Sequence, residues 1–224
     1  MYLGLGMLKK RTKLPFEGYS DDFIRIPRRV GGHEIVKNFK NVEEFCKHLY
    51  PTMETTADIP EAIVLTPKNK NMFLINDQCL TRFRPDIERI PLKSYDTTYV
   101  PEHGRLFTTE MMNNYNPGGL PRHEIQVKPG CSLMLLRNLN LMEGLANGTR
   151  LRLLSVHKDR KVMQVEVLTG PKANPAFTLK DRTFPLFRIP CTNNTDRYIQ
   201  MTRKQFPVRL TYAMSINKAQ GTSI

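Results

Sequence analysis

Four short runs between residues 131 and 184 constrain the fold most, because each has the pattern of a β-strand and each is bounded by turn signals. They are CSLMLLRNL (131–139), TRLRLLSVH (149–157), KVMQVEVLTG (161–170) and AFTLKDRTF (176–184). Asn147-Gly148 predicts a tight turn, and residues 156–162 predict a hairpin tip. Short strands at such close spacing favour a small antiparallel β-barrel.

The third run shows the expected two-faced character. Met163, Val165 and Val167 alternate with Gln164 and Glu166. A strand with this period of two buries one face and exposes the other to solvent. The alternation therefore predicts that Gln164 and Glu166 lie on the solvent face, and Leu133 and Leu135 of the first run are expected in the barrel core.

Upstream the pattern is that of a strand followed by a helix. Ala62–Leu65 is a short apolar run typical of a buried parallel strand. Thr66-Pro67 predicts an N-cap and a proline in the first helical turn. Apolar residues then mark one side of a helix: Met72, Ile75, Cys79, Leu80 and Phe83. A further helix is predicted over 41–50, with Asn41 as N-cap and Pro51 after its end.

The stretch QFPVRLTYAMSI (205–216) alternates again, which predicts a strand that returns to the first sheet. The order favours an α/β fold with an inserted β module. The predicted organisation is an irregular or helical segment at 1–61, with a short strand at Phe23–Ile26, part of an α/β domain at 62–105, the β module at 106–205 and the return strand at 206–224.

The chain is strongly basic, with a net charge of +13 among 224 residues. Such an excess favours a polyanionic partner, although simple solubility and an acidic partner chain remain open alternatives. Four dispersed cysteines lack zinc-ligand spacing and are expected to be reduced thiols. No apolar run has the length of a membrane span, so no membrane partner is expected.

Five stretches together resemble the C-terminal half of Pif-type DNA helicases, including those of Helitron transposons. They are AIVLTPKNKNMFLIN (62–76), KSYDTTY (93–99), GLPRHEIQVKPGCSLMLLRNLN (119–140), GLANGTRLRLL (144–154) and RKQFPVRLTYAMSINKAQGTSI (203–224). They follow the order of the family and cover residues 62 to 224, which makes the combination far more specific than one motif.

The resemblance implies a superfamily 1 enzyme that uses ATP and magnesium to move 5′ to 3′ on single-stranded DNA. It implies two RecA-like domains, the second carrying a Src-homology-like β-barrel insertion called 2B. On this basis the chain is expected to be an α/β fragment, consisting of a partial second RecA-like domain with its 2B insertion. The N-terminal helicase half would be a missing partner, and the chain alone is expected to bind ATP and magnesium incompletely.

The stretch SINKAQG (215–221) resembles helicase motif V, which contacts the DNA backbone and relays the nucleotide state. Asn217 and Gln220 would offer amides, Lys218 a cation, and Gly221 a close backbone approach to DNA. Thr222 departs from the glutamine that is frequent in the family, although a threonine hydroxyl also forms hydrogen bonds.

Further nucleic-acid contacts are less strongly indicated. Lys68 and Asn69 resemble a segment at the start of the second domain, but helix initiation explains them as well. Arg137 and Arg150 lie in stretches that resemble the family. They are expected either to face DNA or to be structural or solvated, and the second alternative is favoured because arginines are mostly exposed to solvent.

No catalytic residue and no metal ligand is predicted in this chain. Asp96 is expected in a polar turn without a catalytic role. A non-enzymatic module that binds single-stranded nucleic acid or protein is the alternative function. A nuclear location is expected from the resemblance, with mitochondrial or transposon-encoded origins left open.

Overall fold

The computed structural model describes residues 29–30, 33–34, 39–55, 59–60, 62–98, 108–117, 120–174, 176–192 and 201–216. Its helices are α1 (Val42–Leu49), α2 (Asn69–Arg82) and α3 (Thr109–Asn114). Its strands are β1 (Arg29–Val30), β2 (His33–Glu34), β3 (Val64–Thr66), β4 (Ile90–Lys93), β5 (Tyr95–Thr98), β6 (Glu124–Val127), β7 (Ser132–Leu135), β8 (Arg150–Val156), β9 (Val162–Val167), β10 (Thr183–Phe187), β11 (Ile189–Thr192), β12 (Met201–Gln205), β13 (Val208–Leu210) and β14 (Ala213–Ser215). The strand predicted at Phe23–Ile26 lies outside the described residues.

Helix α1 forms where its periodicity predicts it. The Asn41 side chain accepts a hydrogen bond from the Glu44 backbone N–H and so caps the first turn. The helix buries Phe45 and Cys46 against α2, where the sulfur atoms of Cys46 and Cys79 lie 3.7 Å apart. All four cysteines are buried and free, as predicted.

The strand–helix unit forms one or two residues later than the sequence pattern predicts. Thr66 is not the helix cap, because it lies at the end of β3 and is almost completely buried. Helix α2 begins at Asn69, and Lys68 occupies the cap position without a side-chain cap. The predicted apolar side of α2 is confirmed, since Met72, Ile75 and Cys79 are buried.

Strands β3 and β14 pair in parallel, although they are far apart along the chain. Ala213 lies opposite Val64, and Ser215 lies opposite Thr66. Buried Asn76 of α2 holds β14 in place: its Oδ1 accepts from the N–H groups of Tyr212 and Ala213, each at 2.9 Å. Its Nδ2 donates to the carbonyl oxygen of Ala213 at 2.9 Å, so the three hydrogen bonds hold two consecutive residues, Tyr212 and Ala213.

The stretch 205–216 is not one continuous strand. Its first part, β13, pairs antiparallel with β7, and its second part, β14, pairs with β3. Only Thr211 and Tyr212 separate the two. Because the period of two runs through both parts, alternation alone could not reveal the division.

The β module contains an open five-stranded sheet in the order β10-β9-β8-β7-β13. No closed barrel forms within the described residues, which departs from the predicted barrel. The predicted hairpin tip is present between β8 and β9, where Arg160 has a positive φ and the His157 N–H donates to the Val162 carbonyl oxygen. In the fourth predicted run, only Thr183 and Phe184 are strand, because Lys180–Arg182 forms a short 3-10 turn.

Burial in β9 agrees with the predicted alternation, with one exception, whereas all four residues of β7 are buried. Leu133, Leu135 and the apolar face of β9 are fully buried, as predicted. Glu166 was expected to face solvent, but its side chain is only 6% exposed between Arg152 at 3.5 Å and Arg182 at 3.3 Å. Two neighbouring guanidinium groups cover the carboxylate, which strand periodicity could not predict.

A smaller sheet, in the order β11-β12-β5, joins residues 95–98 to residues of the β module. A two-stranded sheet of β4 and β6 adjoins it. One continuous apolar core is shared by α1, α2, the five-stranded sheet, the β3–β14 pair and the β4–β6 pair, and it includes Phe83, Leu133, Phe206 and Tyr212.

Candidate nucleic-acid interface

The carboxyl ends of β3 and β14 form a common edge. Because Thr66 lies opposite Ser215 in a parallel pair, both strands leave the sheet on the same side. The chain after β3 enters Lys68 and Asn69, which are exposed at the start of α2. The chain after β14 passes Ile216 and enters the motif-V-like stretch. Loops at the carboxyl ends of parallel strands are the usual ligand position in open α/β sheets.

Four of the residues predicted for DNA contact, together with Thr222, lie outside the described residues: Asn217, Lys218, Gln220 and Gly221. Their predicted role is therefore a proposal. What the structure describes is the strand that leads to them and the hydrogen bonds from Asn76 that fix its start.

Arg137 lies away from this edge, at the opposite end of β7 from the residues that contact Tyr212 and Thr211. Burial raises the pKa of the Cys191 thiol. The guanidinium group of Arg137 interacts with this thiol and offsets part of that increase. Arg137 thus belongs to the face that adjoins β11, and the structure does not bring it together with Lys68 and Asn69.

Arg150 has a structural role. It is buried, and its Nη2 donates to the Pro60 carbonyl oxygen at 2.6 Å. The contact connects the five-stranded sheet to the segment that precedes β3. It agrees with the expectation that Arg150 has a structural role.

A cleft of about 100 Å³ lies between α2, β6 and β13. Arg122 covers the Phe73 ring at its mouth, with the guanidinium carbon 4.6 Å from the ring centroid. Arg209 contacts the sulfur atoms of Met72 and Met134, and burial lowers the pKa of its guanidinium group. Sequence reasoning missed this cleft because its walls come from three distant parts of the chain.

Sequence reasoning also missed a buried polar cluster around Asp96. Asp96 lies on β5, not in a polar turn, and its carboxylate is fully buried. It accepts from Arg203 at 2.7 Å and from the Ser94 hydroxyl at 2.5 Å. The Ser94 oxygen also lies 2.8 Å from Nδ1 of His123.

This cluster does not have the order of a serine hydrolase triad. A triad requires histidine between serine and the acid, whereas here Ser94 stands between His123 and Asp96. Arg203 also donates to the carbonyl oxygens of Met112 and Pro121, so the cluster connects α3 and the segment before β6 to the small sheet. Its chemistry is that of a structural ion pair.

Within the described ranges, no group of three or more His, Cys, Asp or Glu side chains could hold a metal ion. No helix in the described part of the chain is long and apolar enough to cross a membrane.

Comparison with known proteins connects this geometry to a family. Residues 110–155 match the model of the 2B domain of DNA helicase Pif1. The ATP-dependent DNA helicase PIF1 of Rattus norvegicus is 32% identical over 111 residues, and that of Xenopus laevis is 28% identical over 112. Each alignment covers 45% of this chain but only 14% of the relative.

The fold agrees with this assignment. A crystal structure of Pif1 helicase from Candida albicans superposes with a TM-score of 0.50 and 20% identity, over 80% of this chain and 42% of that one. Likeness at this identity supports the mixed α/β fold only. The 2B match and the PIF1 relatives confirm the resemblance, and this chain is similar to a C-terminal region of the Pif-type DNA helicases.

Proposed function

We propose that this chain serves as a C-terminal part of an ATP-dependent DNA helicase of the Pif type. It contributes contacts to single-stranded DNA and couples them to the nucleotide state during 5′ to 3′ movement. The observation that carries the proposal is the parallel pairing of Thr66 with Ser215. It brings the end of β3, which leads to Lys68, beside the end of β14, and this supports the proposal that the stretch with Lys218 contacts DNA at the same edge.

The charge of the chain supports this role. A net charge of +13 favours binding to the DNA backbone, and lysines that contact phosphates give affinity without sequence preference. Asn69, Asn217, Gln220 and Gly221 complete the proposed contact set at the edge. The proposed 2B insertion, over 106–205, meets the return segment where β7 pairs with β13, and Arg137 is a further candidate contact.

ATP and magnesium belong to the proposed parent enzyme rather than to this chain alone. A P-loop needs a Gly-Lys pair, and a strand that holds magnesium ends in an acidic pair. The sequence contains neither Gly-Lys nor Asp-Glu. We therefore propose that a helicase half with both features completes the nucleotide site, in the nucleus of the cell.

The proposal is tested by binding of the full chain to a fluorescent oligothymidine in a salt titration. We expect Lys68→Ala and Lys218→Ala each to weaken binding and to reduce the slope of log K against log[salt] by about 0.7, the value for one phosphate contact on a single strand. Lys158→Ala, at the exposed β8–β9 hairpin tip, is the matched control. Unchanged affinity and slope in both edge variants would contradict the proposed DNA edge.

A further inference from the structure

The small sheet β11-β12-β5 has two faces of opposite character. Its inner face carries Cys191, Arg203 and Asp96 side by side, all with buried side chains. The alternation of each strand places the neighbouring residues on the outer face. These are Pro190, Lys204 and Tyr95 in one cross-strand row, and Thr192, Thr202 and Thr97 in the next.

The outer face carries no acidic residue, because the one acid among the paired residues of these strands, Asp96, points inward to Arg203. Lys204 is exposed and lies directly opposite Tyr95. Residues paired in this way have Cβ atoms about 5 Å apart, so the ammonium group and the phenol ring share one surface. The described part of the chain shows no ion pair between Lys204 and a carboxylate.

Tyr95 is unusually exposed for an aromatic residue on a sheet. Its relative exposure is 69%, the second largest among the large hydrophobic residues described as exposed. The guanidinium carbon of Arg188 lies 5.7 Å from the Tyr95 ring centroid and 4.6 Å from that of buried Phe206. The ring is therefore flanked by a second cation, which itself rests on the core.

A tyrosine ring beside the cations of Lys204 and Arg188, on a face whose paired strand residues include no acid, is suited to single-stranded nucleic acid. Asp159 of the β8–β9 hairpin acts electrostatically on Arg188 but lies off these strands. Nucleobases stack on exposed aromatic rings, and the phosphates between them are attracted to the adjacent cations. A protein partner would more often cover apolar side chains, whereas this face presents threonines around a single ring. Charge complementarity therefore favours a polyanion with stacking bases.

We propose that the outer face of β11-β12-β5 is a second binding surface for single-stranded nucleic acid, with a base stacked on Tyr95 and a phosphate at Lys204. The inference rests on the proposed helicase function but uses residues distinct from the edge at β3 and β14. It adds a contact surface on the β11-β12-β5 sheet, whose residues were not predicted to bind nucleic acid.

The test measures binding of the full chain to fluorescein-labelled oligothymidine by anisotropy. We expect Tyr95→Ala to weaken binding about five- to tenfold, as loss of one stacking contact does. Tyr95→Phe keeps the ring and should bind like the unchanged chain. Lys204→Ala should lower the salt slope by about 0.7, while Lys180→Ala, an exposed lysine on the 3-10 turn, should not.

A second measurement locates the contact directly. An oligothymidine that carries 5-iododeoxyuridine should crosslink to Tyr95 under ultraviolet light, as identified by mass spectrometry of the digested chain. Thermal melting of each variant excludes unfolding as the cause of lost binding.

The outcomes separate this surface from the proposed function. If Tyr95→Ala and Lys204→Ala bind normally while Lys68→Ala and Lys218→Ala do not, the second surface is overturned and the edge stands. If Tyr95→Ala weakens binding while the edge variants do not, the second surface stands and the edge is overturned. Absence of any binding by the unchanged chain overturns both.

Discussion

Arg203 and Asp96 form a two-pronged ion pair in which both side chains are completely shielded from solvent. Nη2 of Arg203 lies 2.7 Å from Oδ2 of Asp96, and Nε lies 3.0 Å from Oδ1. The pair spans 107 residues of sequence and fixes the register of β12 on β5. Because both side chains are buried, removal of either one leaves the other charge without a counter-ion.

We expect Asp96→Ala to lower the free energy of unfolding by about 3–5 kcal/mol, because it leaves the Arg203 cation buried without its counter-ion. The double variant Asp96→Leu with Arg203→Met should recover much of that loss, since it removes both charges and fills the space. Urea denaturation followed by circular dichroism measures both. A loss below about 1 kcal/mol for Asp96→Ala would contradict the burial of the pair.

Asn76 provides the second prediction. Asn76→Ala removes the three hydrogen bonds to Tyr212 and Ala213 and leaves buried backbone groups unpaired. Each unpaired buried group costs about 1–3 kcal/mol, so three such groups predict a loss of at least about 3 kcal/mol. Hydrogen exchange at the two amides should accelerate as well.

Asn71 on the same helix serves as the matched control, because its side chain is exposed. Asn71→Ala should change stability by less than about 0.5 kcal/mol, as exposed substitutions usually do. Equal losses in the two alanine variants would mean that Asn76 does not hold β14.

Two glycines with nearly the same positive φ give a third prediction. Gly130 has φ +90°, and Gly170 has φ +89°. A Cβ on Gly130 would lie 3.1 Å from Cζ of buried Phe83, whereas a Cβ on Gly170 would meet nothing within 4 Å. Each alanine carries the cost of a positive φ that L-residues rarely adopt, about 1–3 kcal/mol.

Only Gly130→Ala adds the steric contact with Phe83. We therefore expect thermal unfolding to show a larger loss for Gly130→Ala than for Gly170→Ala. The difference reports how tightly Gly130, just before β7, packs against Phe83 at the end of α2. If the two variants melt at the same temperature, Phe83 has room to move away.

The fourth prediction concerns alkaline pH. Burial raises the pKa of the Cys131 thiol to about 12, from an ordinary value near 9. Between these values the unfolded chain releases the thiol proton and the folded chain retains it, so the unfolded state binds fewer protons. Stability is therefore unaffected by this group below about pH 9 and falls as pH rises toward 12, by up to about 1.4 kcal/mol per pH unit.

Cys131→Ala should reduce the steepness of this alkaline loss, even if the smaller side chain lowers stability at neutral pH. Urea titrations at pH 7, 9, 10 and 11 measure the slope. An identical slope in the variant would show that Cys131 does not contribute. The Tyr212 hydroxyl, whose pKa burial also raises, should account for part of the slope that remains.

Local patterns predicted the parts of this fold that depend on neighbours in sequence. Helix α1 begins after Asn41 as its capping signal indicated, and the strand–helix unit appears within two residues of its predicted position. The buried face of β9 follows from alternation alone. These features are decided within one or two turns of chain, where periodicity is informative.

Features created by distant partners were not predictable. Asp96 resembled a turn residue because its counter-ion lies 107 residues away, and Glu166 was expected in solvent because Arg182 comes from another segment. The candidate DNA edge was predicted residue by residue from family resemblance, but the pairing that brings Thr66 beside Ser215 is a tertiary fact. Tyr95 lies in the family-like stretch KSYDTTY but was not predicted to bind anything, and its exposure became apparent only in three dimensions.

The two-residue connection between β13 and β14 has a mechanical consequence. Tyr212 receives the Ser132 N–H from the five-stranded sheet through its hydroxyl, and its own N–H is held by Asn76 of α2. A connector anchored at both ends cannot act as a loose joint. A rotation of the five-stranded sheet would therefore also displace β14, the strand that leads to Asn217.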